Sequence, residues 1–229
     1  MKISIIIPVF NEEKYILEVL NRVNAEKQKY NLEIIVSDDG STDNTLKLLK
    51  NNNHLYDTLI ESHVNKGKGF AIINSLNKIN GDYLLIQDAD LEYNPKDYNQ
   101  LFEPALKLNA DVVFGSRFHG NGAKRILYFK NRFANFFLSL LVSVLTNINF
   151  SDVETGYKLV KTDIFKSLNL NEKTFDIEIE ITMKLAKMKL KFYEVGISYN
   201  GRTYEEGKKI RFKDGLSALY KIFYYKFFN

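Results

Sequence analysis

The chain has 229 residues, 45% of them hydrophobic, enough to bury a substantial core in one domain and to exclude a disordered or fibrous chain. Its 32 Lys and Arg against 28 Asp and Glu give +4, too slight a bias to indicate nucleic acid. The absence of cysteine excludes disulfides, thiolate catalysis and cysteine-ligated zinc, and His54, His63 and His119 lack metal-ligand spacing.

Met1-Lys2 leads into an apolar strand-like run, Ile3 to Val9, with no small-residue cleavage site, which predicts a cytoplasmic protein. Ile16, Val19, Leu20 and Val23 then repeat at helical spacing. A second strand is expected over Leu32 to Val36, and Ser41/Thr42 reads as a helix start that caps exposed amides ahead of Leu46 and Leu49. Further strands are expected at Tyr83 to Ile86 and Val112 to Phe114. Such unalternating apolar runs suit parallel strands buried on both faces, so the alternation of strand and helix predicts a doubly wound α/β sheet.

Beyond about residue 116 the pattern changes to a glycine-rich loop and a long apolar segment. Its core, Phe136 to Leu145, is about half of the roughly 20 residues that a membrane-spanning helix requires. The stretch Asp152 to Lys158, a helix around Glu178 to Lys189 and a strand over Phe192 to Tyr199 follow. From Lys184 onward basic residues outnumber acidic ones, which suits an anionic ligand or lipid surface. No internal repeat or low-complexity linker interrupts the chain.

In doubly wound sheets ligands gather beyond the carboxyl ends of the strands, which directs attention to Phe10-Asn11-Glu12, Asp38-Asp39-Gly40 and Asp88-Ala89-Asp90. In Asp88-Ala89-Asp90-Leu91-Glu92 the carboxylates stand at alternate positions, and an extended chain would point them to one side. Hard cations such as Mg²⁺ or Mn²⁺ favour these oxygen ligands, completed by phosphate and water. A solvated acidic turn has the same composition; the position after a strand weighs against it. A carboxylate of Asp38 or Asp39 can accept hydrogen bonds from a base or ribose, although a plain strand-to-helix turn explains the same letters. A nicotinamide dehydrogenase is excluded, because Pro-Val-Phe-Asn-Glu-Glu stands where its glycine fingerprint belongs.

Pro8-Val9-Phe10-Asn11-Glu12 together with both acidic clusters resembles the family 2 glycosyltransferases of the GT-A fold. That resemblance implies a Rossmann-like doubly wound mixed sheet flanked by helices, in a single domain over 1–229 with a C-terminal amphipathic helix. It implies a nucleotide-sugar half, 1–115, and an acceptor half, 116–229. Pro8, Val9, Phe10, Glu12, Asp38 and Asp39 would bind nucleotide, Asp88-Ala89-Asp90 the diphosphate, and Asp88, Asp90 and Glu92 the Mg²⁺ or Mn²⁺. Asn65-Lys66-Gly67-Lys68-Gly69 also matches a family element near the donor, and Lys68 stays open between a donor contact and solvent-facing structure.

Gly115-Ser116-Arg117, Arg132, Asp152-Val153-Glu154-Thr155-Gly156-Tyr157-Lys158 and Arg202 to Lys208 are similar to the dolichol-phosphate mannose synthase group. Members join a sugar from a nucleotide diphosphate donor, here a GDP- or UDP-hexose, to a polyprenyl phosphate. The resemblance assigns Arg117 and Arg132 to the acceptor phosphate, and Arg202 and Lys208 to the diphosphate, with Gly207 letting Lys208 fold inward. Glu154 departs from that group, where an uncharged residue is usual; it is either a general base for a hydroxyl acceptor or a structural hydrogen-bond acceptor. Leu216, Leu219, Tyr220, Phe223, Tyr224 and Phe227 recur at helical spacing, between a membrane-facing stripe and core packing. Phe133 to Ile148 is open in the same way, with Ser139 and Ser143 on one face. The expected location is the cytosolic face of a membrane.

Overall fold

A computed structural model describes residues 1–119, 125, 128–203, 205–207, 209 and 212–228. Seven strands form one mixed sheet: β1 (Lys2–Val9), β2 (Asn31–Asp38), β3 (Thr58–Glu61), β4 (Tyr83–Ile86), β5 (Val112–Ser116), β6 (Lys158–Lys161) and β7 (Phe192–Gly196), in the order β3-β2-β1-β4-β6-β5-β7. Apolar runs such as Ile5-Ile6-Ile7 and Ile34-Ile35-Val36 are wholly buried because helices cover both faces. Among the described residues, α1 (Ile16–Ala25), α2 (Thr45–Asn51) and α4 (Tyr98–Leu108) pack one face through Val19, Leu20, Leu49 and Phe102. The other face carries α3 (Lys68–Ser75), α5 (Phe129–Thr146), α6 (Thr162–Ser167), α7 (Ile177–Leu185) and α8 (Phe212–Phe227), through Ile72, Val142, Phe165, Ile181 and Ile222.

β3 and β6 were not expected. β3 is a half-buried edge strand without a continuous apolar run, and β6 reads Lys-Leu-Val-Lys, whose first lysine is fully buried. β6 alone runs against its neighbours, pairing antiparallel with β4 (Leu85↔Leu159) and β5 (Val113↔Leu159). Its preceding loop, residues 152–157, therefore arrives at the carboxyl end of β4, beside Asp88.

One sequence expectation is corrected, and two open ones are resolved into faces. Ser41 and Thr42 do not cap α2: their hydroxyls accept from the backbone N–H and the side-chain amide of Asn11, at 3.0 and 3.2 Å, tying the β1 and β2 exits together. Asp43 Oδ1 instead accepts from the amide of Thr45, where α2 begins. In α8 the core side is Ala218, Ile222 and Tyr225, while Leu216, Tyr220, Phe223 and Phe227 are exposed and Leu219 and Tyr224 half-buried. In α5, Ser139 and Ser143 mark the packed side. Ser139 Oγ accepts from the Val153 amide and Ser143 Oγ from that of Phe150, leaving Phe129, Phe133, Phe136, Phe137, Leu140 and Val144 exposed.

Candidate active site

The acidic loop after β4 rests on a buried polar support. Gln87 Oε1 accepts from the hydroxyls of Tyr98 (2.8 Å) and Tyr157 (2.6 Å), and Ala89 is buried below the two aspartates. The chain is not extended here. Leu91 adopts left-handed backbone (φ 62°), which breaks the alternation, and Glu92 shares the Arg202 guanidinium with Asp90, its Oε1 3.5 Å from Nε. Glu92 accepts from the Tyr199 hydroxyl at 2.7 Å and from the Arg202 amide at 2.8 Å. Among the described residues no three acidic or histidine side chains converge as a cation cage, so the expected alignment of Asp88, Asp90 and Glu92 on one side is not found.

Asp88 and Asp90 face separate cations. Lys68 Nζ lies 2.7 Å from Asp88 Oδ1, and Arg202 Nη2 donates to Asp90 Oδ2 at 2.6 Å. Burial raises the Asp90 carboxyl to about 7, with repulsion from Asp88 and Glu92 adding to it and Arg202 opposing it. Two hard carboxylates with surplus negative charge fit a divalent cation that shares its remaining positions with phosphate oxygens and water. Space for it is kept at Gly156, where a Cβ would stand 2.7 Å from Asp88 Oδ2. The Gly156 amide is held by the Tyr93 hydroxyl at 2.8 Å, which joins the acceptor-side loop to the acidic loop.

On the donor side, Pro8 and Val9 are buried at the end of β1, and Phe10 is half-buried where the chain leaves the sheet. Glu12 is 6% exposed and receives Lys209 Nζ at 2.6 Å and Arg202 Nη1 at 3.4 Å. Lys209 also donates to the Phe10 carbonyl, so the segment after Arg202 is strapped over the β1 exit. Asp38 is fully buried, with Oδ2 accepting from the Ser41 amide and Oδ1 unpartnered. Asp39 accepts from the amides of Lys66 and Gly67, which fixes the turn leading into α3. That turn requires glycine, since Gly67 has φ 106° and a Cβ there would meet the Lys173 carbonyl.

Just beyond β5, Arg117 is locked onto Asp152 by two parallel bonds of 2.7 Å, Nε to Oδ2 and Nη2 to Oδ1, leaving Nη1 without a bond among the described residues. Its guanidinium lies 5.3 Å from the Tyr199 ring centre. Arg132 is exposed on the first turn of α5 and makes no hydrogen bond or ion pair with the other candidates. Lys208 lies outside the described residues; Gly207 before it has φ 89°. Glu154 Oε1 is buried without a partner, and burial, helped by Glu178 and Asp152 and opposed by Lys158 and Arg117, raises its carboxyl to about 7.

Sequence reading missed Lys158, Glu178 and Lys209. Glu178, 4% exposed in the first turn of α7, meets Lys158 Nζ at 2.5 Å and Lys68 Nζ at 2.9 Å. Burial opposes its ionisation, and these two cations outweigh that, holding it at about 2. Lys158 lies within a motif already singled out, and Lys209 adjoins Lys208. Glu178 carried no signal, because nothing in Ile-Glu-Ile-Glu tells a buried acid from a solvated one.

A model of glycosyl transferase family 2 matches residues 4–168, and the chain belongs to that family. An uncharacterized protein of Methanocaldococcus jannaschii is 33% identical over 226 residues, covering 90% of this chain and 93% of its own. The dolichol-phosphate mannosyltransferase of Pyrococcus furiosus is 28% identical over 215 residues, covering 92% of this chain, which spans 61% of that relative's length. Among solved structures, glucosyl-3-phosphoglycerate synthase from Mycobacterium tuberculosis, in complex with Mn²⁺, UDP and glucosyl-3-phosphoglycerate, superposes with TM-score 0.73 at 20% identity. It covers 98% of this chain and 78% of its own. The fold is thus the GT-A fold expected from the sequence.

Proposed function

We propose that the protein is a divalent-cation-dependent, inverting hexosyltransferase that moves a sugar from a GDP- or UDP-hexose to a polyprenyl phosphate at a membrane surface. The observation that carries this reading is the approach of the loop that orients Arg117 through Asp152 to the acidic loop, where Gly156 lies against Asp88 and is held by Tyr93. Asp88 and Asp90 would hold Mg²⁺ or Mn²⁺, which neutralises a departing diphosphate. Pro8, Val9, Phe10, Glu12, Asp38 and Asp39 form the nucleotide side, with Lys68, Arg202 and Lys208 supplying positive charge to the diphosphate. Arg117, oriented by Asp152, presents its free edge to an acceptor phosphate, with Arg132 further out. An ionised phosphate attacks without a base, from the face opposite the leaving group. The relative named dolichol-phosphate mannosyltransferase supports a lipid phosphate, and the solved neighbour, which binds a glucosylated phosphoglycerate, supports a phosphate-bearing acceptor.

The exposed apolar faces of the neighbouring α5 and α8 support membrane contact, and the exposed Lys130 and Lys213 would meet anionic headgroups, while Lys226 donates to the Leu145 carbonyl. Among the described residues no helix is long and apolar enough to cross a membrane. A thermal-shift screen tests the donor: UDP or GDP at about a hundredfold excess over Kd should stabilise by roughly 2.7 kcal/mol. That shift should need Mn²⁺ or Mg²⁺ and vanish in Asp88→Ala. No shift with any nucleotide diphosphate would refute the reading.

Glu154 favours a second reading, in which its unpartnered carboxyl, held near 7, is a general base for a hydroxyl acceptor. Product analysis separates the two. Transfer to polyprenyl phosphate should survive Glu154→Gln within about tenfold, whereas a base role predicts a loss on the order of 10²–10⁴ and products on neutral acceptors only.

A further inference from the structure

Glu178 sits in the interior between the donor and acceptor sides. Its carboxylate is shared by two cations from different elements: Lys68, the first residue of α3, at Oε1, and Lys158, the first residue of β6, at Oε2. Lys158 is fully buried and also donates to the Thr155 carbonyl, in the loop that brings Gly156 against Asp88. Lys68 divides its ammonium between Asp88, at 2.7 Å, and Glu178, at 2.9 Å. Among the described residues Lys68 is the cation that meets Glu178 Oε1, in a close ion pair whose angle falls outside a well-aligned hydrogen bond.

We infer that Glu178 is a positioning residue that holds Lys68 as a diphosphate ligand and ties its placement to the acceptor-side loop through Lys158. The inference rests on the donor chemistry proposed above. When a divalent cation occupies Asp88, Lys68 loses its attraction to that carboxylate and would be driven off by like charge. Glu178 keeps the ammonium beside the aspartate, where it can turn to a phosphate oxygen. Without Glu178 the flexible four-carbon stem would spread the charge over many rotamers and lose the contact. The backbone holds the stem's root firmly: the Phe70 amide donates to the Lys173 carbonyl at 3.0 Å, and a Cβ on Gly69 would collide with the Glu172 carbonyl. Only the far end of Lys68 therefore needs a guide.

Calorimetric titration of UDP and GDP in Mn²⁺ into wild type, Lys68→Met, Glu178→Gln and the double variant tests this, with thermal midpoints recorded alongside. Each single change should weaken the better nucleotide about tenfold, and the double should be no weaker than either single, a coupling that a merely structural ion pair would not show. Glu178→Asp keeps the charge but shortens its reach, and should fall between wild type and Glu178→Gln; it stands in if Glu178→Gln does not fold. Unchanged affinity in a folded Glu178→Gln or Glu178→Asp, or additive losses in the double variant, would overturn the inference while leaving the donor chemistry intact. Failure of wild type to bind either nucleotide would instead overturn the donor reading and this inference with it.

Discussion

Asp90 stabilises the fold least at the pH where a cation would use it. Its folded carboxyl, near 7, lies above the ordinary aspartate value of 3.8, because burial and the neighbouring acids disfavour the charged form. A group raised in this way favours folding below the ordinary value and costs stability as pH climbs toward the folded one, levelling off above it. Asp90→Asn should therefore raise the melting temperature of the metal-free protein. Its advantage should grow between about pH 4 and 7 by at most about 1.4 kcal/mol per pH unit, reduced by the lost Arg202 contact, and stay flat above. Added Mn²⁺ should narrow the difference by stabilising only the wild type. Melting curves at several pH values decide it; an advantage that shrinks with rising pH is the contrary result.

The residues that the sequence placed best are those fixed by the backbone alone. Asp88, Asp90 and the Asp38-Asp39 turn stand at strand ends, and strand ends can be read from runs of apolar letters. The alternation expected over Asp88 to Glu92 was misjudged because one left-handed residue, Leu91, bends the chain, and leucine gives no warning of that conformation.

Among the elements, α5 and α8 show how far periodicity reaches. Helical spacing locates an apolar stripe but does not say whether protein or lipid covers it, since both demand the same letters. The structure divides α8 between a narrow buried side, Ala218, Ile222 and Tyr225, and an exposed aromatic side. Phe136→Asp and Phe223→Asp should each cut co-sedimentation with anionic vesicles roughly tenfold. Neither change should move the melting temperature by more than about a degree, since neither side chain is in the core. Equal sedimentation of the variants and the wild type would remove lipid as the partner of this face. The short strands β3 and β6 were illegible for a different reason. β4 is just as short but wholly apolar and buried, whereas β3 is only half-buried, and a buried lysine in β6 inverts the expected polarity because its partner, Glu178, lies 20 residues away.

At the scale of the whole molecule the order of the sheet explains why the site is assembled from both halves of the chain. In the first half of the sheet the edge strand β3 escaped the sequence, while β1, β2 and β4 could be read directly. Insertion of β6 between β4 and β5 could not, because pairing partners separated by some 75 positions leave no local mark. The reversed strand brings the Thr155-Gly156 turn to the acidic loop and puts Lys158 on the face that meets α7, while Leu159 packs on the opposite side.

That arrangement makes spacing between Gly156 and the first rung of β6 intolerant of change. Lengthening it by a single residue would slip the strand by one step and send Lys158 through to the opposite layer, with Tyr157 taking its place opposite Glu178. Glu178 would then keep Lys68 as a buried counter-charge but lose Lys158, and a lysine would be driven into the apolar layer that Leu159 now fills.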